Sequence, residues 1–335
     1  MLTVLQGERA PDQYTNPYIT QLFAGLSRND VRVVPWRYLP AILGRYDVVH
    51  LHWPEYMVAK SSFLKSAIAA PLAILCALRW RILRTPVVVT VHNTAPHDGG
   101  VLAKWWLRQI HRLARVRIHL APPTVRDGDT DVVIPHPSYA EWFAGHPAAP
   151  TIEFDACYFG GVRPYKGVDD LVTAFAQSSR DQIRLSIRGA CGDSEYEDKL
   201  RSLTELDSRI TANFTFASDP ELKHLISASR VAILPYRGME NSGAALLSLS
   251  IGTPILVPST PSTNRLLDEF GTDWVYQFGG ELTAKDIEQA IDRASIPRRT
   301  AAPDLSRREW SDCIERHVAV YSRLVGERAR PTERD

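Results

Sequence analysis

Arg163 and Lys166 stand just behind a pair of glycines, Gly160 and Gly161, in the run Ala-Cys-Tyr-Phe-Gly-Gly-Val-Arg-Pro-Tyr-Lys-Gly over residues 156–167. Glycine lets backbone approach a ligand closely, and a helix start offers unpaired N–H groups at the positive end of its dipole. Two cations at the same place make a site for a diphosphate. The residues that follow predict the helix itself: Val168, Leu171, Val172 and Phe175 recur at i, i+3, i+4, i+7, so one face packs on a sheet. Asp169 and Asp170 in its first turn also suit a plain dipole-stabilised helix, the competing reading of this stretch.

A second constellation is Arg237-Gly238-Met239-Glu240-Asn241-Ser242-Gly243, between an apolar run at 231–236 and a short helix. Ala244, Leu247, Ser248 and Ile251 form that helix's expected packed face. A carboxylate, an amide and a hydroxyl at a helix start suit a ligand rich in hydroxyls, such as a sugar or a ribose. Ser242 or Asn241 would also serve as an ordinary N-cap. A third set is His52, His92 and His136, each at the end of an apolar run.

The elements that must position these groups are legible as a pattern. Short apolar, β-branched runs fall at 2–5, 31–36, 47–52, 86–92, 116–121 and 131–136, then at 156–161, 183–189, 210–216, 231–236, 254–259 and 274–278. Near-continuous apolar strands alternating with helices predict an α/β fold of parallel sheets covered on both faces. Six runs in each half predict two doubly wound, Rossmann-like domains facing one another, over 1–145 and 146–305. The break at Gly145-His146-Pro147 marks the joint. A helix over 306–328, with Trp310, Ile314, His317, Val318 and Tyr321 on one stripe, is expected to pack back across the cleft, and 329–335 to be a disordered tail. Ligands of such sheets bind outside the carboxyl ends of the strands, so the three histidines are expected to line one rim.

Charge is nearly balanced over the 335 residues but unevenly spread. Residues 1–150 hold 16 Lys/Arg against 10 Asp/Glu, and 151–335 hold 23 against 28. The basic first half points to an anionic surface or ligand. Cys76, Cys157, Cys191 and Cys313 are scattered, which reads as reduced thiols of a cytosolic protein. The start, Met-Leu-Thr-Val-Leu-Gln-Gly-Glu-Arg, reads as a strand and not as a signal peptide.

Taken in order, Asn16-Pro17-Tyr18, Asp47-Val-Val-His-Leu-His-Trp-Pro-Glu55, Val-Thr-Val-His92-Asn93, Ile-Pro-His136-Pro, the Arg163/Lys166 run and Pro235-Tyr-Arg-Gly-Met-Glu240-Asn-Ser-Gly243 resemble bacterial GT-B glycosyltransferases. The nearest are family-4-like enzymes and related exopolysaccharide mannosyl- and glucosyltransferases, and the resemblance spans nearly the whole chain. It implies a hexose transferred from a nucleoside-diphosphate sugar, GDP-mannose or a UDP-sugar, to a glycolipid or polysaccharide in cell-envelope or exopolysaccharide synthesis. The donor would lie on Gly160, Gly161, Arg163, Lys166, Glu240, Asn241, Ser242 and Gly243. Arg163 and Lys166 would hold the diphosphate, Glu240 the donor sugar, and His52 and His92 the transferred sugar or the acceptor. Asn16, Tyr18, His52, Glu55, His97 and His136 are the acceptor-side candidates. The family's second glutamate falls here at Leu247 or Ser248, which leaves the stereochemical outcome open. An inverting enzyme needs a base, for which Glu55, Asp98, His52 and His97 are the candidates. Two alternatives share the architecture: a nucleotide-sugar 2-epimerase and a catalytically degenerate partner protein.

The segment Lys60–Arg84 has an apolar centre with cations at both ends, and Lys104-Trp105-Trp106-Leu107-Arg108 adds tryptophans beside cations. The centre is too short to span a bilayer, which takes about 20 residues. It suits either an interfacial helix or a buried helix with snorkelling ends. With a glycolipid acceptor, a cytoplasmic protein held peripherally at the inner face of the membrane is expected. Asp127-Gly-Asp129 reads as a turn, so no metal and no other cofactor is expected, the cation pair neutralising the leaving group. Nucleic-acid binding is not expected, and the sequence leaves the oligomeric state open.

Overall fold

The computed structural model describes residues 1–59, 62–92, 100–122, 130–237, 242–297 and 300–329. His97, Asp98, Glu240, Asn241, the Asp127/Asp129 pair and the tail from 330 lie outside the described residues. The described chain divides into two compact units, Met1–Pro137 joined by Arg307 and the helix after it, and Ser138–Ser306.

In the first unit the strands are β1 (Leu2–Gln6), β2 (Val31–Val34), β3 (Val48–Leu51), β4 (Val87–Val91), β5 (Val116–His119) and β6 (Asp131–Val133). They pair in parallel in the order β2-β1-β3-β4-β5-β6. Helices α1 (Pro17–Arg28), α2 (Tyr38–Leu43), α3 (Phe63–Ile82) and α4 (Val101–Leu113) connect them. Valine-rich β3 and β4 are buried almost throughout, as a strand covered on both faces must be.

In the second unit a short helix α5 (Ala140–Phe143) precedes β7 (Phe154–Phe159), β8 (Leu185–Arg188), β9 (Ile210–Asn213), β10 (Ser229–Ile233), β11 (Ile255–Pro258) and β12 (Val275–Phe278). Their order is β12-β11-β10-β7-β8-β9. Between them run α6 (Val168–Ala176), α7 (Ser194–Thr204), α8 (Asp219–Ser227), α9 (Gly243–Ile251) and α10 (Pro261–Phe270), with α11 (Ala284–Ser295) after β12. The four expected apolar positions of α6 are all buried. Helix α9 differs from its expected stripe: Ala245, Leu246, Ser248 and Leu249 are buried, while Ala244, Leu247 and Ile251 pack half-buried against the same core. It is apolar nearly all round, so periodicity does not single out a face.

All twelve expected strands are present, shifted at their ends by a residue or a few. The division between units falls at Pro137/Ser138 and not at the expected 145/146, because Tyr139 and Phe143 are buried in the second unit's core. The final helix, α12 (Trp310–Ala329), belongs to the first unit: Trp310, Cys313, Ile314, Tyr321 and Leu324 join α1 and the sheet in one core. Val318, expected on that stripe, is only half-buried, and Val320 takes a buried place.

Candidate active site

Strand order in each sheet reverses at one point, between β7 and β10 in the second unit and between β1 and β3 in the first. Loops diverge there, leaving a crevice at the carboxyl ends of the strands. The Gly160 run leaves β7 and the Pro235–Arg237 run leaves β10, so the two motifs expected to hold a donor flank one such point. In the first unit Gln6 ends β1 with Gly7 after it, and His52 follows β3.

In the second unit, glycines let the chain close up. Gly160 has φ +103° and Gly167 has φ +64°, conformations that L side chains rarely adopt. A Cβ at Gly167 would stand 2.4 Å from the carbonyl oxygen of Pro235, and one at Gly189 only 1.8 Å from the carbonyl oxygen of Gly160. Backbone from β7, β8 and β10 therefore meets without side chains between. Over this floor lies the Lys166 ammonium, 3.9 Å from where a Gly160 Cβ would be and 5.0 Å from the centroid of the Tyr236 ring. Burial and then the neighbouring Arg163 guanidinium lower the Lys166 pKa to about 8. An anion would reverse that balance, which is what a diphosphate site requires. Arg163 is exposed, with Gly161 beside it.

Arg237 fastens the two motifs to each other. Its guanidinium donates to Asp170 Oδ1 and Oδ2 at 2.9 Å, to Asp169 Oδ1 at 3.1 Å and to the Pro164 carbonyl at 3.0 Å. Its backbone N–H donates to the Tyr165 carbonyl at 3.0 Å. The aspartates in the first turn of α6 are thus tied to this arginine, with Lys199 and Tyr196 also donating to Asp169. Ser242 acts as the N-cap of α9, accepting from the Ala245 N–H at 3.1 Å. A Cβ at Gly243 would stand 3.1 Å from the Tyr139 hydroxyl. At the place of a second glutamate, Ser248 is fully buried and donates to the Thr253 carbonyl, and Leu247 packs against the core. Neither offers a group to a ribose.

The first unit gathers its histidines around Tyr18. Asn16 caps α1 by accepting from the Tyr18 N–H at 2.9 Å, and Pro17 follows at the first helical turn. The Tyr18 ring then stands 5.9 Å from His52, 5.8 Å from His92 and 4.9 Å from His136. His52 Nε2 is 3.3 Å from Gln6 Oε1 and its Nδ1 3.4 Å from His92 Nε2. Trp53 stacks on His92 at 4.1 Å. Burial, then neighbouring histidines, hold His52 well below its usual pKa, while His92 falls to about 3 and His136 to about 4. Glu55, on the turn after β3, lines a small pocket with His52, Trp53, His92 and His111, and burial raises its carboxyl above the usual range. No group of three or more His, Cys, Asp or Glu suited to a metal ion occurs among the described residues.

Sequence reasoning missed Gly189, although it closes the run 183–189, and missed Arg237 as a clamp. It also missed the Tyr321 hydroxyl, 2.6 Å from His50 Nδ1, and the His50 Nε2 contact of 2.8 Å to Thr90 Oγ1. His50 alternates with His52 along β3, but nothing local names a partner 271 residues away.

The family model described as glycosyl transferases group 1 matches residues 145–302. The chain is 35% identical over 328 residues, 97% of its length and 93% of the relative's, to a protein of Xanthomonas campestris pv. campestris named GDP-mannose:glycolipid 4-beta-D-mannosyltransferase. In fold it is similar to Anabaena HepE, whose structure holds UDP and glucose, with a TM-score of 0.66 at 14% identity over 96% of this chain and 100% of that one. It is likewise similar to the catalytic domain of starch synthase IV from Arabidopsis thaliana, with a TM-score of 0.65 at 11% identity over 97% and 99% of the two chains. The chain therefore belongs to the group 1 glycosyl transferases and is a glycosyltransferase of the GT-B architecture.

Proposed function

We propose that this glycosyltransferase moves mannose from GDP-mannose to a lipid-linked glycan, with Arg163 and Lys166 meeting the charge of the departing diphosphate in place of a metal. The observation that carries the reading is the 35% identity, sustained along almost the whole chain, to a protein named for that donor and acceptor class. In the reaction the bond from the sugar's anomeric carbon to the diphosphate oxygen breaks. An acceptor hydroxyl forms the new bond and gives its proton to a base. The relative is named for a β product; from a donor α-linked to its diphosphate, such a product is an inversion. The base must then stand opposite the leaving group, and Glu55 is our candidate: a carboxyl with a raised pKa, in a pocket of aromatic rings. His52, His92 and His136 are held neutral and suit contacts with uncharged sugar hydroxyls. With a glycolipid as acceptor, the reading extends to the assembly of a cell-surface or exported polysaccharide.

The test is GDP release from GDP-mannose by the purified protein, with and without a lipid-linked glycan acceptor. We expect release that depends on acceptor, survives EDTA and is not matched by UDP-glucose. Product with an unchanged acceptor and an epimerised sugar nucleotide would overturn the reading, as would a folded protein that releases nothing.

A further inference from the structure

We infer that the outer face of α3, with the start of α4, is a docking surface for an anionic lipid bilayer. The inference rests on the glycolipid reading only for its purpose, since its evidence is separate. Helix α3 carries two apolar stripes. Ala69, Ala73, Cys76 and Trp80 are buried and join α3 to the first unit. Leu64, Ile68, Leu75, Leu78 and Ile82 are exposed by 70%, 60%, 46%, 50% and 77%, with Pro71 exposed among them. Their spacing of four, three, four, three and four residues makes one straight stripe, roughly opposite the buried one at 3.6 residues per turn. Val101, Leu102 and Trp105 of neighbouring α4 are exposed by 84%, 43% and 39%. Single exposed apolar residues need no account, but a continuous set on adjacent helices does.

Charge names the occupant. From residue 56 to 126 the chain holds 11 Lys/Arg and one acid, Asp98. Lys65, Arg81, Arg84, Lys104, Arg108 and Arg112 are exposed on or beside these helices. In a two-fold dimer through this face, a second copy would bring the same positive charge and be repelled. An anionic bilayer satisfies both demands: aliphatic side chains and a tryptophan enter the interface while arginines and lysines reach phosphates. No helix among the described residues is long and apolar enough to cross a membrane, so α3 would lie along the surface.

The experiment is co-sedimentation of the full chain with vesicles of phosphatidylcholine alone, or with roughly one third phosphatidylglycerol. Binding is expected to the anionic vesicles, to weaken as salt rises, and to fall at least about tenfold in the Leu75→Glu/Leu78→Glu double variant. Both positions are exposed, so GDP-mannose binding by calorimetry should match the parent and show the variant folded. Equal binding to neutral vesicles, undiminished binding by the double variant, or a dimer that the variant splits without any vesicle binding would overturn the proposal. Failure of the donor reading would instead appear as absent GDP-mannose binding, whatever the vesicles do.

Discussion

At the scale of single residues, chemistry follows from what each side chain was removed from. Lys166 sits over bare backbone beside Tyr236 and Arg163, and its pKa of about 8 leaves it charged at neutral pH but readily discharged above. The proposed grip on a diphosphate therefore has a pH signature. Donor affinity, measured by calorimetry, should be constant below pH 8 and fall as pH rises through it; Lys166→Met should abolish that dependence. The same substitution should lower kcat/KM by on the order of 3 kcal/mol, about a hundredfold, by analogy with losing one oxyanion donor. The Glu55 pKa moves the other way, upward, because burial favours the neutral form of a carboxyl as it does of an amine. As a base it must first ionise, so kcat/KM should rise through its raised pKa and level off. Glu55→Gln should lower kcat by roughly 10²- to 10⁴-fold with donor affinity kept. A variant retaining full kcat would remove Glu55 from the reaction.

Elements meet in the second unit through absent side chains. Strands β7 and β8 approach at Gly160 and Gly189, and the loop after β10 crosses at Gly167. Gly189→Ala would place a methyl inside the van der Waals radius of the Gly160 carbonyl, and backbone cannot swing aside as a flexible side chain can. The strand ends must part, at a cost of about 1–3 kcal/mol or more. Urea unfolding should show that loss, and donor affinity should fall with it, because Gly160 forms the floor under Lys166. An unchanged midpoint would mean the strand ends are looser than this packing implies. The Arg237 clamp works at the same scale, joining the turn at Pro164 and Tyr165 to the chain that leads into the Glu240 loop.

For the molecule as a whole, each unit has its own core, and the first one stores an acid sensitivity. His50, His52, His92, His136 and His317 are all held below the usual histidine pKa of 6.5, burial being the leading cause in each. Above about pH 6.5 they are neutral folded or unfolded, and their burial carries no proton penalty. Below it the unfolded chain takes up protons that the folded one refuses. Stability is then lost progressively down to pH 3–4, where the folded values of His92, His136 and His317 lie. Each such group contributes up to about 1.4 kcal/mol per pH unit in that window. Thermal melts between pH 7 and pH 5 should show a steep fall in Tm, and a flat Tm would contradict the neutral cluster.

The sequence by itself determined the element list, because runs of valine and isoleucine and helical spacing are local properties. It also placed Arg163 and Lys166 behind Gly160 and Gly161, and three histidines at strand ends. Tertiary structure alone decided what those groups face. Gly189 against Gly160, Arg237 against Asp169 and Asp170, and Tyr321 against His50 are pairings set by strand order and helix packing, which no local pattern encodes. The same holds for domain membership. Gly145-His146-Pro147 looked like a joint, yet burial of Tyr139 and Phe143 pulls the division forward to Pro137/Ser138, and α12 returns to the first unit because its apolar stripe completes the core over α1.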